Sequence, residues 1–202
     1  MKSLLVKTQK KNNILNSLYQ TLEDRNNPED IEYYGPFKCR KKTSWLGDGY
    51  YFWDSFLELA HFWGKNSGYG TYVICHATAD LNENLCYDLV GNYSHMKDMI
   101  NIVNRMESEG LVNKTTTVKR IIEFMRKIDC FNQYAIRVIG TNSIANNDGN
   151  DSFLQRFKFD SKLPAYLDLI PPIQVCIYDC AKVSLQDYRI IHPDIYTDEY
   201  LV

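Results

Sequence analysis

The sequence predicts an α+β fold in one domain, with a strand-rich core and a central helical insertion. Three observations carry that expectation. The chain has 202 residues, 45% hydrophobic and 24% charged, so it can bury a sizeable core and is neither disordered nor fibrous in composition. Apolar runs rich in β-branched and aromatic residues occur at 69–79, 133–139 and 172–178, as strands require. Between the first two of these runs, residues 93–110 and 115–128 carry apolar side chains at helical spacing. No repeat, linker or composition break divides residues 1–202.

In chain order, residues 1–30 place Leu4, Leu5, Ile14, Leu15, Leu18 and Leu22 on one face of a helix, which Asn26-Asn27-Pro28 ends. Residues 31–38 read as a short strand leading into a turn. A basic cluster follows, Lys38, Arg40, Lys41 and Lys42. The stretch Trp45-Leu46-Gly47-Asp48-Gly49-Tyr50-Tyr51-Phe52 is a glycine-hinged turn feeding an aromatic strand. Asp54 then suits the N-cap of a helix running to Trp63, with Leu57, Ala60, His61 and Phe62 at helical spacing. The 69–79 strand ends in Asp80-Leu81-Asn82, and 85–89 has the character of another short strand. Thr116 or Thr117 starts the second central helix, whose buried stripe is Ile121, Ile122, Phe124, Met125 and Ile128. Residues 141–151 form a solvated loop, 172–178 a buried strand, and 183–191 one strand more.

A formal net charge of −2 gives no global field toward nucleic acid or an anionic membrane. Aromatic residues make up 13%, enough to line a pocket as well as a core. Cys39, Cys75, Cys86, Cys130, Cys176 and Cys180 are irregularly spaced, lack a Cys-x-x-Cys pair, and mostly sit in apolar runs. Reduced, partly buried thiols are the expectation. With four histidines and none paired to a cysteine at finger spacing, no zinc site is expected. The opening Met-Lys-Ser-Leu-Leu-Val-Lys is interrupted by charge after three apolar residues, and no run approaches the roughly 18 apolar residues of a membrane span. A soluble, cytoplasmic protein without a membrane partner is expected.

Three segments in order carry a resemblance. They are Tyr33-Tyr34-Gly35-Pro36, then Gly47-Asp48-Gly49-Tyr50-Tyr51-Phe52 with the helix behind it, then Ile173-Gln174-Val175-Cys176-Ile177-Tyr178-Asp179. This order resembles the ADP-ribosyltransferase fold of the diphtheria-toxin and poly(ADP-ribose) polymerase type, over residues 31–64 and 170–190. That family has a His-Gly-Ser/Thr strand, a Gly-x-Gly-x-Tyr-Phe segment and a late Glu-Tyr-x-x-Tyr-Asp strand. Residues 45–53 are also similar to small bacterial proteins with a Trp-Leu-Gly-x-Gly-Ile-Tyr-Phe-Trp signature. The resemblance implies a split antiparallel β-sheet core and NAD as co-substrate.

Carried over residue by residue, Tyr34 stands where the family usually has its histidine, and a hydroxyl can still donate and accept. Tyr51 matches the tyrosine whose ring stacks on nicotinamide. Gly35, Gly47 and Gly49 fall in the same NAD-binding segments, and Arg40 in the basic cluster that can meet the pyrophosphate. Gln174 stands where the family has its catalytic glutamate. The amide keeps a hydrogen bond to the ribose 2′-OH but loses the charge that steadies an oxocarbenium-like centre. Each residue also has a packing reading: Tyr34 as a cap on a sheet edge, Tyr51 as core filler, Gln174 as a satisfied core amide. His61 is a packed histidine on its helix, and His76 sits mid-strand after Cys75.

The resemblance thus implies an NAD-dependent mono-ADP-ribosyltransferase, of the kind found as bacterial intracellular toxins or anti-phage effectors with a neutralising antitoxin. Its acceptor would be a macromolecule: protein, RNA or DNA. Residues 141–169, with Phe153, Phe157, Phe159 and Tyr166, would then recognise that acceptor. The loss of glutamate equally fits a catalytically weakened NAD- or ADP-ribose-binding or protein-interaction module of the same fold.

Overall fold

β-Branched and aromatic runs become strands, and the amphipathic segments between them become helices that cover the resulting sheet. The computed structural model describes residues 15–140 and 156–197. In chain order it places β1 (Asn16–Glu23), α1 (Pro28–Tyr34), β2 (Tyr50–Asp54), α2 (Leu57–Asn66), β3 (Tyr72–Ala79), β4 (Cys86–Asp88) and α3 (Tyr93–Ser108). Next come α4 (Val118–Lys127), β5 (Ala135–Ile139), β6 (Arg156–Lys158), β7 (Tyr166–Asp168), β8 (Ile173–Ile177), β9 (Gln186–His192) and a 3₁₀ turn, Asp194–Tyr196. The architecture is α+β.

Seven strands form one mixed sheet in the order β4-β5-β8-β2-β1-β3-β9, antiparallel at every step except β4 with β5. Residues opposite one another share a face. One face therefore carries Tyr19, Tyr51, Trp53, Gln174, Cys176, Ile136 and Val138. Two separate clusters cover that face. Leu59 and Ala60 of α2 pack on Trp53 and Ile74. Ile122 and Met125 of α4 pack on Ile136, Val138 and Cys176. The other face buries Leu18, Phe52, Val175 and Ile177, and α1 seats Ile31 on Val73, Cys75 and Ile190. Each such large side chain contributes about 1.5–3 kcal/mol by leaving water.

Several expectations are corrected. Residues 16–23 are not helical: they form the central strand β1, between β2 and β3, with Leu18 and Gln20 turned into the core. Residues 1–14, with Leu4, Leu5 and Ile14, lie outside the described residues. The first half of the expected strand over 31–38 is instead the end of helix α1, because Pro28 stands at the helix N-terminus with Glu29 and Asp30 in the first turn, and residues 35–38 are irregular. Asp54 is not an N-cap. It ends β2, 1% exposed, and α2 begins at Leu57 after Phe56. The segment 141–155 lies outside the described residues, and β6 and β7 pair as a hairpin immediately after it. The strands at 72–79, 86–88, 135–139, 173–177 and 186–192 and the helices α3 and α4 stand where periodicity put them, α4 capped by Thr117 Oγ1. All six cysteines are free, and Cys75, Cys86 and Cys176 are buried. Among the described residues no helix is long and apolar enough to cross a membrane.

Candidate functional site

Gln174 lies near the start of β8, opposite Trp53 of β2 on one side and Val138 of β5 on the other. The two facing side chains, an indole and a valine, bring neither a hydroxyl nor a charge to the amide. Its Oε1 is buried and has no hydrogen-bond partner among the described residues. The position also falls at the seam between the two clusters that cover this face, with Trp53 in one and Val138 in the other. Trp63 of α2, 44% exposed, lies 6.2 Å from the Trp53 ring. The seam is thus bordered by indoles.

Two residues along the sheet, Cys176 is opposite Tyr51 and Ile136. Tyr51 shares a face with Gln174, but its hydroxyl is already engaged. It accepts the Leu46 N–H at 3.1 Å and donates to the Gly47 carbonyl at 2.8 Å. The Tyr178 hydroxyl donates to the Leu46 carbonyl at 2.9 Å, so two phenols clamp the 46–47 turn. Burial raises the Tyr51 pKa well above the usual phenol value, and the Cys176 thiol adds to it. Gly47 occupies the left-handed region at φ +91, which favours glycine. At Gly49 a Cβ would sit 2.3 Å from Cys176 Sγ and 2.9 Å from the Ile177 carbonyl, so only glycine lets this turn meet β8.

Tyr51 and Gln174 therefore share one sheet face, but Gly47 and Gly49 stand beside Cys176 and Ile177, at the end of β8 away from Gln174. Tyr34 and Gly35 do not join them. Tyr34 is the last residue of α1, 66% exposed and edge-on to Tyr33 at 4.8 Å, and α1 covers the opposite face. Gly35 is fixed by packing, since a Cβ there would overlap the Tyr188 ring. Arg40 is exposed, one residue beyond the Cys39–Gly49 bridge. His61 pairs its Nδ1 with the Tyr72 hydroxyl at 3.1 Å and stands edge-on to His192, a packed histidine as expected.

Two polar features have no counterpart among the sequence expectations. Gln20, 4% exposed, accepts the Phe37 N–H and the Tyr188 hydroxyl and donates to the Phe37 carbonyl, pinning the chain after Gly35 to β1. Arg137, in the apolar run Ala135-Ile136-Arg137-Val138-Ile139, pairs with Asp54 and Asp88 on the face opposite Gln174. A signal for it exists in the sequence: a charge amid an apolar strand must have a partner. Among the described residues no group of three or more His, Cys, Asp or Glu could hold a metal ion. Comparison of the chain with protein-family models, curated proteins and solved structures finds no match.

Proposed function

We propose that the protein is an NAD-dependent mono-ADP-ribosyltransferase with a macromolecular acceptor. The observation that carries this reading is the buried carbonyl of Gln174, without a hydrogen-bond partner among the described residues, on the face it shares with Tyr51 and Trp53. A buried acceptor without a donor costs about 1–3 kcal/mol, so a protein retains one where a ligand supplies the donor. A ribose 2′-OH is such a donor. In the reaction, the bond between nicotinamide and ribose C1′ breaks with its electron pair going to nicotinamide. The acceptor nucleophile then bonds to C1′ and releases its proton to solvent. Gln174 orients the ribose; it cannot carry the charge a glutamate would. The trade fits single transfer better than chain extension, which needs an activated ribose hydroxyl. The β6–β7 hairpin supports an acceptor-facing role, because it leads toward β8 and leaves Phe157 and Leu167, opposite one another, 51% and 45% exposed.

One observation favours a second reading, an NAD- or ADP-ribose-binding module with weak or no catalysis. The sheet positions flanking Gln174 are Trp53 and Val138, so neither facing residue supplies a carboxylate in place of the glutamate. Incubating the pure protein with NAD and cell extract, and following nicotinamide release and macromolecular label by mass spectrometry, separates the two. Transfer predicts both products. Binding without release of nicotinamide selects the module, and no NAD or ADP-ribose binding at millimolar ligand rejects both.

A further inference from the structure

At the other end of β8, four residues or about 13 Å from Gln174, Tyr178 borders a cavity of about 720 Å³. It opens between the 46–48 turn and one side of α4. Lys119 and Arg126 bring cations to it, while Lys38, also on its wall, holds its ammonium 5.9 Å over the Tyr50 ring of the opposite-face cluster. None makes an ion pair with a described residue. Asp48 and Glu123, both exposed, lie on the same wall without reaching ion-pair distance of them. Arg126 is held differently from a solvated surface arginine. Its guanidinium lies over the Tyr178 ring at 4.1 Å and within 5.2 Å of the Phe131 ring. Stacking of this kind fixes the plane of the fork and leaves its outer side free. Lys119 is in the first turn of α4, which contains no acidic side chain, so the amide ends of the helix add to the positive field.

Such a site suits a ligand with two parts. One is an anion, set against Lys119 and the amide end of α4, whose first turn carries no acidic side chain. The other is a flat ring, stacked on the outer side of the Arg126 plane. The volume falls within the usual range of small-molecule sites. We infer that this cavity binds a nucleoside phosphate, its phosphate on Lys119 and the amide end of α4 and its base on Arg126. The site does not include Gln174, so it stands apart from the proposed transfer chemistry. The phosphate can belong to a free nucleotide or to the 5′ end of a nucleic-acid strand.

Calorimetric titration at low and physiological salt tests this with AMP and with a short 5′-phosphorylated oligoadenylate, using adenosine and inorganic phosphate as controls. AMP is expected to bind more tightly than either control. Lys119→Ala and Arg126→Ala should each weaken it by about tenfold or more, the loss of one charge-assisted contact. Both positions are on the surface of α4, and thermal melts confirm that the variants fold. Saturating AMP should leave nicotinamide release from NAD unchanged, which keeps the site distinct from the transfer reading, and competition between the two overturns it as a separate site. Tighter binding of the oligoadenylate with a steeper salt dependence assigns a strand end; tighter binding of AMP assigns the free nucleotide. Absence of binding by both, equal binding of adenosine, or indifference to Lys119→Ala and Arg126→Ala overturns the inference.

Discussion

Arg137 reaches over β8 to pair with Asp54, so the two strands on either side of Gln174's strand are tied together on the face opposite Gln174. Asp54 is 1% exposed, and its other oxygen accepts the Ser55 hydroxyl. Arg137 also donates to Asp88 on β4 at 3.3 Å. Burial alone would lower the Arg137 pKa, but the two carboxylates outweigh it and its charge is reinforced.

Removing Arg137 should therefore be far more costly than removing Asp88. Arg137→Met leaves Asp54 buried with one hydroxyl for company, and about 3–5 kcal/mol of stability is expected to go. Asp88→Asn removes a partly exposed partner and should cost about 1 kcal/mol or less. Urea denaturation of the three proteins checks the ranking. Equal midpoints for wild type and Arg137→Met would show that the bridge contributes nothing.

The elements legible in the sequence are those whose local pattern and tertiary role agree. In α4, Thr117 caps the start and Ile122 and Met125 face the core, as their spacing requires. The 173–177 strand is mostly apolar because both of its faces are covered, and in 72–79 Val73, Cys75, Ala77 and Ala79 make one fully buried face while Tyr72, His76 and Thr78 on the other are half-buried. β1 is not legible because Leu15, Leu18 and Leu22 happen to recur at helical spacing while pairing with β2 and β3 imposes a strand. That is tertiary structure overriding local pattern. In α1 the punctuation works in the opposite direction: Asn27-Pro28 opens a helix rather than closing one. The site is legible in part. Gly47, Gly49, Tyr51 and Gln174 are local to β2 and β8, whereas Arg137 shows in the sequence only as a charge amid an apolar strand, and its partner Asp54, 83 residues away, leaves no local trace.

Thiol chemistry should sort the cysteines by burial. Desolvation pushes Cys75, Cys86 and Cys176 up to about 12. At pH 8 only about one molecule in ten thousand then carries the thiolate at any of these positions, and the thiolate is the reactive form. Cys130 is exposed. A colorimetric disulfide reagent added to native protein should modify Cys130 rapidly and the three buried thiols only at the rate of unfolding. Uniform modification of all six would contradict this burial.

Acid should weaken the fold through its histidines. His61, His76 and His192 all have lowered pKa values, burial being the largest cause in each. His61 is depressed further by His192 and Lys65, with Glu58 opposing. A ring kept neutral in the fold binds its proton more readily when unfolded, so stability is lost as pH falls below the ordinary histidine value near 6.5. The Tm is expected to drop between about pH 7.5 and about pH 5.5. His61→Gln retains a hydrogen-bonding partner for the Tyr72 hydroxyl and should flatten part of that drop. A profile identical to wild type would mean that His61 titrates alike in both states.

Gln174 gives the sharpest test, because packing and function make opposite demands on it. If its buried carbonyl serves only the fold, it is a defect, and Gln174→Met should stabilise the protein by about 1 kcal/mol or more with no other consequence. If it orients the ribose of NAD, the same substitution should stabilise the apoprotein while removing most nicotinamide release. Gln174→Glu keeps the shape and adds an anion beside the developing cation, which stabilises the transition state more than a neutral amide does. NAD hydrolysis to free ADP-ribose should then rise, by up to about 10²–10³ if the electrostatic contribution is complete. The substitution should also lower the melting temperature, because Trp53 and Val138 leave that carboxylate without a donor on the sheet. Stability falling and hydrolysis rising together would mark Gln174 as a catalytic position. Full activity in Gln174→Met would assign the residue to packing and remove it from the transfer chemistry.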